Sequence, residues 1–159
     1  MLLQVSIRTF CDTFGSSNKQ ADMEKYIAEE MNEDKLTEEL KDQNNLFLLA
    51  WYNEEMAGYA KIRANKEPQE LSNHNPVEIE RIYVLQKYHG KKIGAALMQQ
   101  CITYAIDHGH DLVWLGVWEH NHSAVNFYKR WGFELFGEHP FILGNDIQTD
   151  VLMKKKLQK

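Results

Sequence analysis

No stretch of the 159-residue chain is long and apolar enough to cross a bilayer. The longest uninterrupted apolar run, Leu46 to Tyr52, falls far short of the roughly 20 residues a spanning helix needs, and reads instead as a buried strand. A surplus of positive charge is also missing, because 18 Lys and Arg face 23 Asp and Glu for a formal charge of −5. Attraction to a nucleic-acid backbone is therefore not what this composition serves. Cysteine is scarce: Cys11 and Cys101 lie far apart with no CxxC pair, which excludes a disulfide framework and a zinc site and predicts buried thiols. Met1 to Val5 lacks the basic region and small-residue cleavage site of a secretory leader, so a cytoplasmic protein is expected. Repeats, low-complexity tracts and flexible linkers are absent too. What remains, with 43% hydrophobic and 26% charged residues, is one compact domain over 1–159 with a sizeable core.

The charge is unevenly spread. From Asp22 to Asp42 nine acids face three bases, a balance of −6 that leaves the rest of the chain at +1. Ile82 to Ile106 contains no acid at all, while Lys87, Lys91 and Lys92 cluster around His89. One region is suited to cations and another to anions.

Residues 2–14 and 22–41 have helical spacing, the second presenting Met23, Tyr26, Ile27 and Met31 on one side. Residues 46–52 and 56–64 around Asn53-Glu54-Glu55 predict an antiparallel hairpin. After a polar loop with Pro68 and Pro76, Val77 to Val84 resumes a strand. Ile93, Ala96, Leu97, Cys101, Tyr104 and Ala105 then recur at helical spacing up to Gly109, a helix terminator. Asp111 to Trp118 reads as a strand covered on both faces, parallel to the one before it. A helix over Asn121 to Trp131 follows, and Phe133 to Leu143 and Ile147 to Met153 form a closing hairpin around Gly144-Asn145-Asp146. The expected fold class is α/β (α+β), antiparallel at both ends of the sheet and parallel in the middle, with a helical segment at 1–42 and the sheet at 46–159.

Ile82 to Ala95 runs from a strand through a turn into a long helix. Such a helix start offers unpaired N–H groups and a positive dipole end, so the turn either cradles a pyrophosphate or merely connects strand to helix. No GxxxxGK[ST] is present, and a dinucleotide fingerprint fits poorly because only Gly90 and Gly94 fall in the turn.

The second segment, Asn121-His122-Ser123-Ala124-Val125-Asn126-Phe127-Tyr128-Lys129-Arg130-Trp131-Gly132-Phe133, decides between these. Together the two resemble the GNAT N-acetyltransferase superfamily, with its (Q/R)xxGx(G/A) turn followed by NxxAxxFYxxxGF. The second motif is matched in full. In the first, His89 stands where Gln or Arg is usual and Lys92 replaces the middle glycine. The resemblance implies a mixed sheet splayed between two parallel strands, helices on both faces, and acetyl-CoA as cosubstrate. It implies that Ile82, Tyr83 and Val84 hold the pantetheine arm, the first and last through their backbone. His89, Gly90, Lys91, Lys92, Ile93, Gly94 and Ala95 would wrap the pyrophosphate, and Asn121 and Tyr128 would meet the cofactor. Without the resemblance, Asn121 reads as a helix cap and Tyr128 as a core aromatic. Lys92 is compatible with the turn if its φ is negative and its side chain points outward. The superfamily commonly begins with a strand that Met1-Leu2-Leu3 does not supply, which would leave a sheet edge open to pairing with a second copy.

Acetyl transfer to an amine requires a neutral nucleophile, yet an alkylamine with a pKa of about 10.4 is mostly protonated at neutral pH. A base or a water relay is needed. Glu80 is the candidate, with Glu78 beside it, and strand alternation puts both on the face of Ile82 and Val84 unless a bulge intervenes. The alternative is a carboxylate paired with Arg81 or Lys61. Tyr128 is the candidate acid for the departing thiolate. No metal is expected, since His108-Gly109-His110 and His120-Asn121-His122 each lack a third ligand at recognisable spacing.

Thr9 to Gly15 followed by Asp22 to Ile27 is similar to the spermidine/spermine N-acetyltransferase-like bacterial branch, and the acidic front segment either attracts a small cationic amine or is a solvated helix face. The other readings are acetylation of protein Lys or N-terminal amines, and a noncatalytic acetyl-CoA-binding regulatory module.

Overall fold

The computed structural model describes residues 1–157. Helix α1 (Leu2–Phe14) buries Val5, Thr9, Phe10 and Phe14, with the Thr9 hydroxyl donating to the Val5 carbonyl at 2.8 Å so that no polar group is stranded. The helix expected over 22–41 is two helices, α2 (Gln20–Glu30) and α3 (Glu33–Lys41). The break is at Met31 and Asn32, which leave helical geometry, and the Asn32 side chain accepts the Lys35 amide at 2.9 Å as a fresh N-cap. A continuous helix would carry Glu39 along the axis of α2; the break turns α3 toward strands β1 (Asn45–Tyr52) and β3 (Pro76–Val84).

Strand β2 (Glu55–Arg63) joins β1 through Asn53 and Glu54, both at positive φ, as a two-residue hairpin turn of matching twist requires. Helix α4 (Ile93–Asp107) crosses from β3 to the parallel strand β4 (Leu112–Trp118). Helix α5 (His122–Arg130) and the hairpin β5 (Glu134–Leu143) and β6 (Asp146–Lys156) complete the domain. The sheet order is β1-β2-β3-β4-β6-β5, antiparallel except for β3 and β4. No strand precedes α1 among the described residues, and β1 is an edge strand.

The parallel pairing is short. It covers only Pro76, Val77 and Glu78 against Leu112, Val113 and Trp114, after which the two strands part. One face of the sheet packs on α4 and α5 through a core that includes Ile62, Ile79, Leu97, Met98, Cys101, Val113 and Met153. The other carries α1 and α2 on Tyr59, Trp118 and Leu143. Gly144, at φ +63°, lets the β5–β6 turn press against Asp22: a Cβ there would lie 2.5 Å from the Asp22 Cα. The Asp22 carboxylate accepts the Asn145 amide at 3.0 Å, which anchors the first turn of α2 to the far end of the sheet.

Candidate active site

Opposite Lys61 and Ile62 of β2, strand β3 presents Arg81 and Ile79, so Glu80 is an extra residue in the ladder. This bulge overturns the expectation that Glu78 and Glu80 share the face of Ile82 and Val84. Ile79, Ile82 and Val84 pack toward α4, whereas Glu78, Glu80, Arg81 and Tyr83 face the side covered by α1 and α2. One inserted residue flips the alternation.

A continuous cavity of about 1010 Å3 opens where β3 and β4 part. One half is lined by Ile82, Tyr83, Val84, His89, Gly90, Lys92, Ile93, Gly94, Ala95, Asn121 and Tyr128. The turn and helix that the motifs single out thus meet in one cleft. Lys91 is the exception, its ammonium lying 5.9 Å over the Tyr52 ring and outside the cavity lining. The Ala96 amide makes the first helical bond, to Lys92, so the amides of Ile93, Gly94 and Ala95 remain without intrahelical acceptors at the positive end of α4. These donors and the pairless edge of β3 suit a pyrophosphate and an extended amide-bearing arm. Lys92 departs from the expected negative φ: it sits at +62°, ψ 23°, where glycine is favoured, so the turn holds this residue at a strain cost. His89 Nε2 lies 3.0 Å from the Val84 carbonyl oxygen and fastens the turn to the end of β3.

Asn121 does cap α5, its side chain accepting the Ala124 amide at 3.3 Å, and it lines the cleft as well. Tyr128 is buried, and that burial, reinforced by nearby Cys101, raises its phenol pKa, keeping the proton in place at neutral pH. Cys101 belongs to the core, its thiol pushed up to about 12 by burial. No cluster of three or more His, Cys, Asp or Glu side chains suited to a metal ion is present among the described residues.

The other half holds a charged network that sequence patterning did not reveal as a unit. Lys61, almost fully buried, lies 2.5 Å from Glu80 and 3.2 Å from Glu39. Arg63 binds Glu78 and lies 3.2 Å from Glu80. Arg81 holds Glu39 through two hydrogen bonds of 2.8 and 2.9 Å. Three acids and three bases balance. The Lys61 ammonium lies against Glu80 Oε2, so this carboxylate oxygen is held by its counter-ion. Burial alone would raise the Glu39 carboxyl pKa; the bonds from Arg81, aided by Lys61, reverse this and lower it. Burial raises Glu78 despite Arg63. Of the nine acids between Asp22 and Asp42, Glu30, Glu38, Glu39 and Asp42 line the cavity; the other five do not.

Asp150 and His139, absent from the sequence reading, complete this half. A carboxylate in the interior of β6, directly before the apolar run Val151 to Met153, was the signal available for Asp150.

The sequence profile of the Acetyltransferase (GNAT) family matches residues 9–133. The chain belongs to the GNAT family. This GNAT domain is 39% identical over 155 residues to an N-acetyltransferase of Lactobacillus delbrueckii subsp. lactis encoded in the pepI 3′ region, covering 98% of this chain and 90% of the relative. It is 25% identical over 92 residues to the spermine/spermidine N(1)-acetyltransferase of Bacillus subtilis, covering 57% and 60%. In fold it is similar to PaiA N-acetyltransferase from Thermoplasma acidophilum in complex with coenzyme A, with a TM-score of 0.80 at 24% identity over 98% of this chain and 90% of that one. The protein is an acetyl-CoA-dependent N-acetyltransferase, and the cleft between β3 and β4 has the donors and shape its cosubstrate requires.

Proposed function

We propose that the chain moves the acetyl group of acetyl-CoA directly to a primary amine of a small cationic acceptor, a polyamine being the leading example. The observation that carries this reading is the single cavity that joins the cofactor cleft to a half lined by carboxylates of β3, β6 and the front helices. An acceptor entering there meets acids before it meets the thioester. The partial likeness to a spermine/spermidine N(1)-acetyltransferase supports the same class.

In this reading the turn amides and Lys92 hold the pyrophosphate, and the unpaired edge of β3 aligns the pantetheine arm. Backbone N–H groups near Val84 polarise the thioester carbonyl, as an oxyanion hole does. Tyr128, neutral at working pH, gives its proton to the departing thiolate. Glu80, which lines the cavity between Lys61 and Arg63, is the residue for the amine's proton, directly or through water.

Two unpaired thiols suit a reducing cytoplasm, and among the described residues no helix is long and apolar enough to cross a membrane. The outer edge of β1, with Leu49 and Trp51 exposed, is where a second copy would pair. The test is a screen of polyamines, amino acids, aminoglycosides and peptides with acetyl-CoA, read by free thiol release. Turnover of polyamines above background hydrolysis is expected; turnover of peptides alone, or of no amine, would remove the reading.

A further inference from the structure

Four carboxylates of the cavity are shielded from solvent: Glu39, Glu78, Glu80 and Asp150. The first three are each held by Lys or Arg. Asp150 is different. Among the described residues the only basic group within 4 Å of it is the His139 ring, with Nε2 at 3.6 Å, a partner that is cationic only when protonated. A half-buried carboxylate without a permanent cation is electrostatically incomplete: burial raises the Asp150 pKa, and the charge and hydrogen bond of His139 oppose it.

The surroundings of Asp150 are those of a receptor for a cation on an aliphatic chain. It lies opposite Trp118 of β4 and His139 of β5, above Gly116, where a Cβ would stand 3.5 Å from its Oδ2. Gly116 is two residues beyond Trp114, the last parallel pairing to β3, so the carboxylate overlooks the opening. Tyr26 of α2 stacks on Phe10 at 4.7 Å and meets Phe141 edge-on at 5.6 Å, and Phe14 packs on Trp118 at 5.1 Å. Tyr26 lines the same cavity as Asp150, Glu30, Glu80 and Arg81. The charge of Arg81 is already taken by Glu39. Aromatic faces accept methylenes and favour an ammonium beside them, and a carboxylate fixes its position.

We propose that Asp150, with His139 beside it and the aromatic cluster of Tyr26 and Phe141 lining the same cavity, is the subsite for a second ammonium of the acceptor, the one that is not acetylated. The site then selects diamines and polyamines over monoamines of equal length. This rests on the amine-acceptor reading above and names what within the cavity enforces it.

The test compares 1,4-diaminobutane with 1-aminobutane, matched in carbon chain and differing by one ammonium, in the wild type, Asp150→Asn and Asp150→Glu. For Asp150→Asn the ratio of kcat/KM for diamine over monoamine should fall about 10- to 100-fold, the loss expected for one charged hydrogen bond, and the change should reside in KM for the diamine. Asp150→Glu should recover part of it. An unchanged ratio, or an equal loss of kcat on both amines, would overturn the subsite. Calorimetric titration of spermidine into the CoA-loaded protein gives a readout free of turnover. Binding to wild type and not to Asp150→Asn supports the subsite even if no amine is acetylated, which would defeat only the acetyl-transfer reading. No binding to wild type overturns the subsite itself.

Discussion

Arg81 grips Glu39 through two parallel hydrogen bonds of 2.8 and 2.9 Å, tying helix α3 to the bulged strand β3. A planar guanidinium matched to a carboxylate fixes orientation as well as distance. The most acidic segment of the sequence is thereby pinned over the charged half of the cavity, with the charge of Glu39 spent on the protein itself.

Glu39→Gln is therefore expected to lower unfolding stability by about 1–2 kcal/mol in urea titrations at neutral pH and to raise acceptor KM. The sign with pH follows from the lowered carboxyl pKa. Glu39 loses its proton more readily folded than unfolded, where a Glu titrates near about 4.3, so the stability it adds is complete above that range and is lost as pH falls through the depressed folded value. In Glu39→Gln this acid-side loss should shrink; an unchanged acid limb would refute the latch.

Lys92→Gly should relieve a left-handed conformation that costs a non-glycine residue about 1 kcal/mol, raising the thermal midpoint. It should also weaken acetyl-CoA binding by removing a charge beside the pyrophosphate turn, and the weakening should fade as salt is added. Stability and affinity moving together would contradict the double role.

Tyr128→Phe removes only the phenol oxygen from a packed ring. We expect kcat to fall by about 100-fold or more while CoA affinity, measured by calorimetry, is retained. Full activity would show that the thiolate takes its proton from elsewhere.

Gly58→Ala introduces a Cβ 2.4 Å from the Tyr83 carbonyl oxygen, where β2 crosses the end of β3. The strand must shift, at an expected cost of about 1–3 kcal/mol, and acetyl-CoA KM should rise because Val84, paired with Gly58, moves too. Thermal denaturation and acetyl-CoA kinetics check the two effects separately.

The half of the cavity between the β3–α4 turn and α5 was legible in advance because its elements are local. The strand, turn and helix of residues 82–95 and the cap and aromatic stripe of 121–133 each declare themselves within a few turns of chain. The splay that unites them follows from one short parallel pairing. Lys92 was placed correctly in the turn, but not its backbone angle, because the positive φ is imposed by the turn's ends rather than preferred by lysine. The charged half was less legible. Glu39, Lys61, Arg63, Glu78, Glu80 and Arg81 come from three elements, and their pairing depends on a break at Asn32 and an extra residue in β3.

Periodicity, turn residues and paired motifs are short-range properties, and they determined the family and most of the order of strands and helices from sequence alone. Tertiary structure alone decided which carboxylates are neutralised and which is left without a cation. A single bulge reverses which way a side chain points, and the partner of a charge such as Asp150 is set by what packs above the sheet, not by its neighbours along the chain.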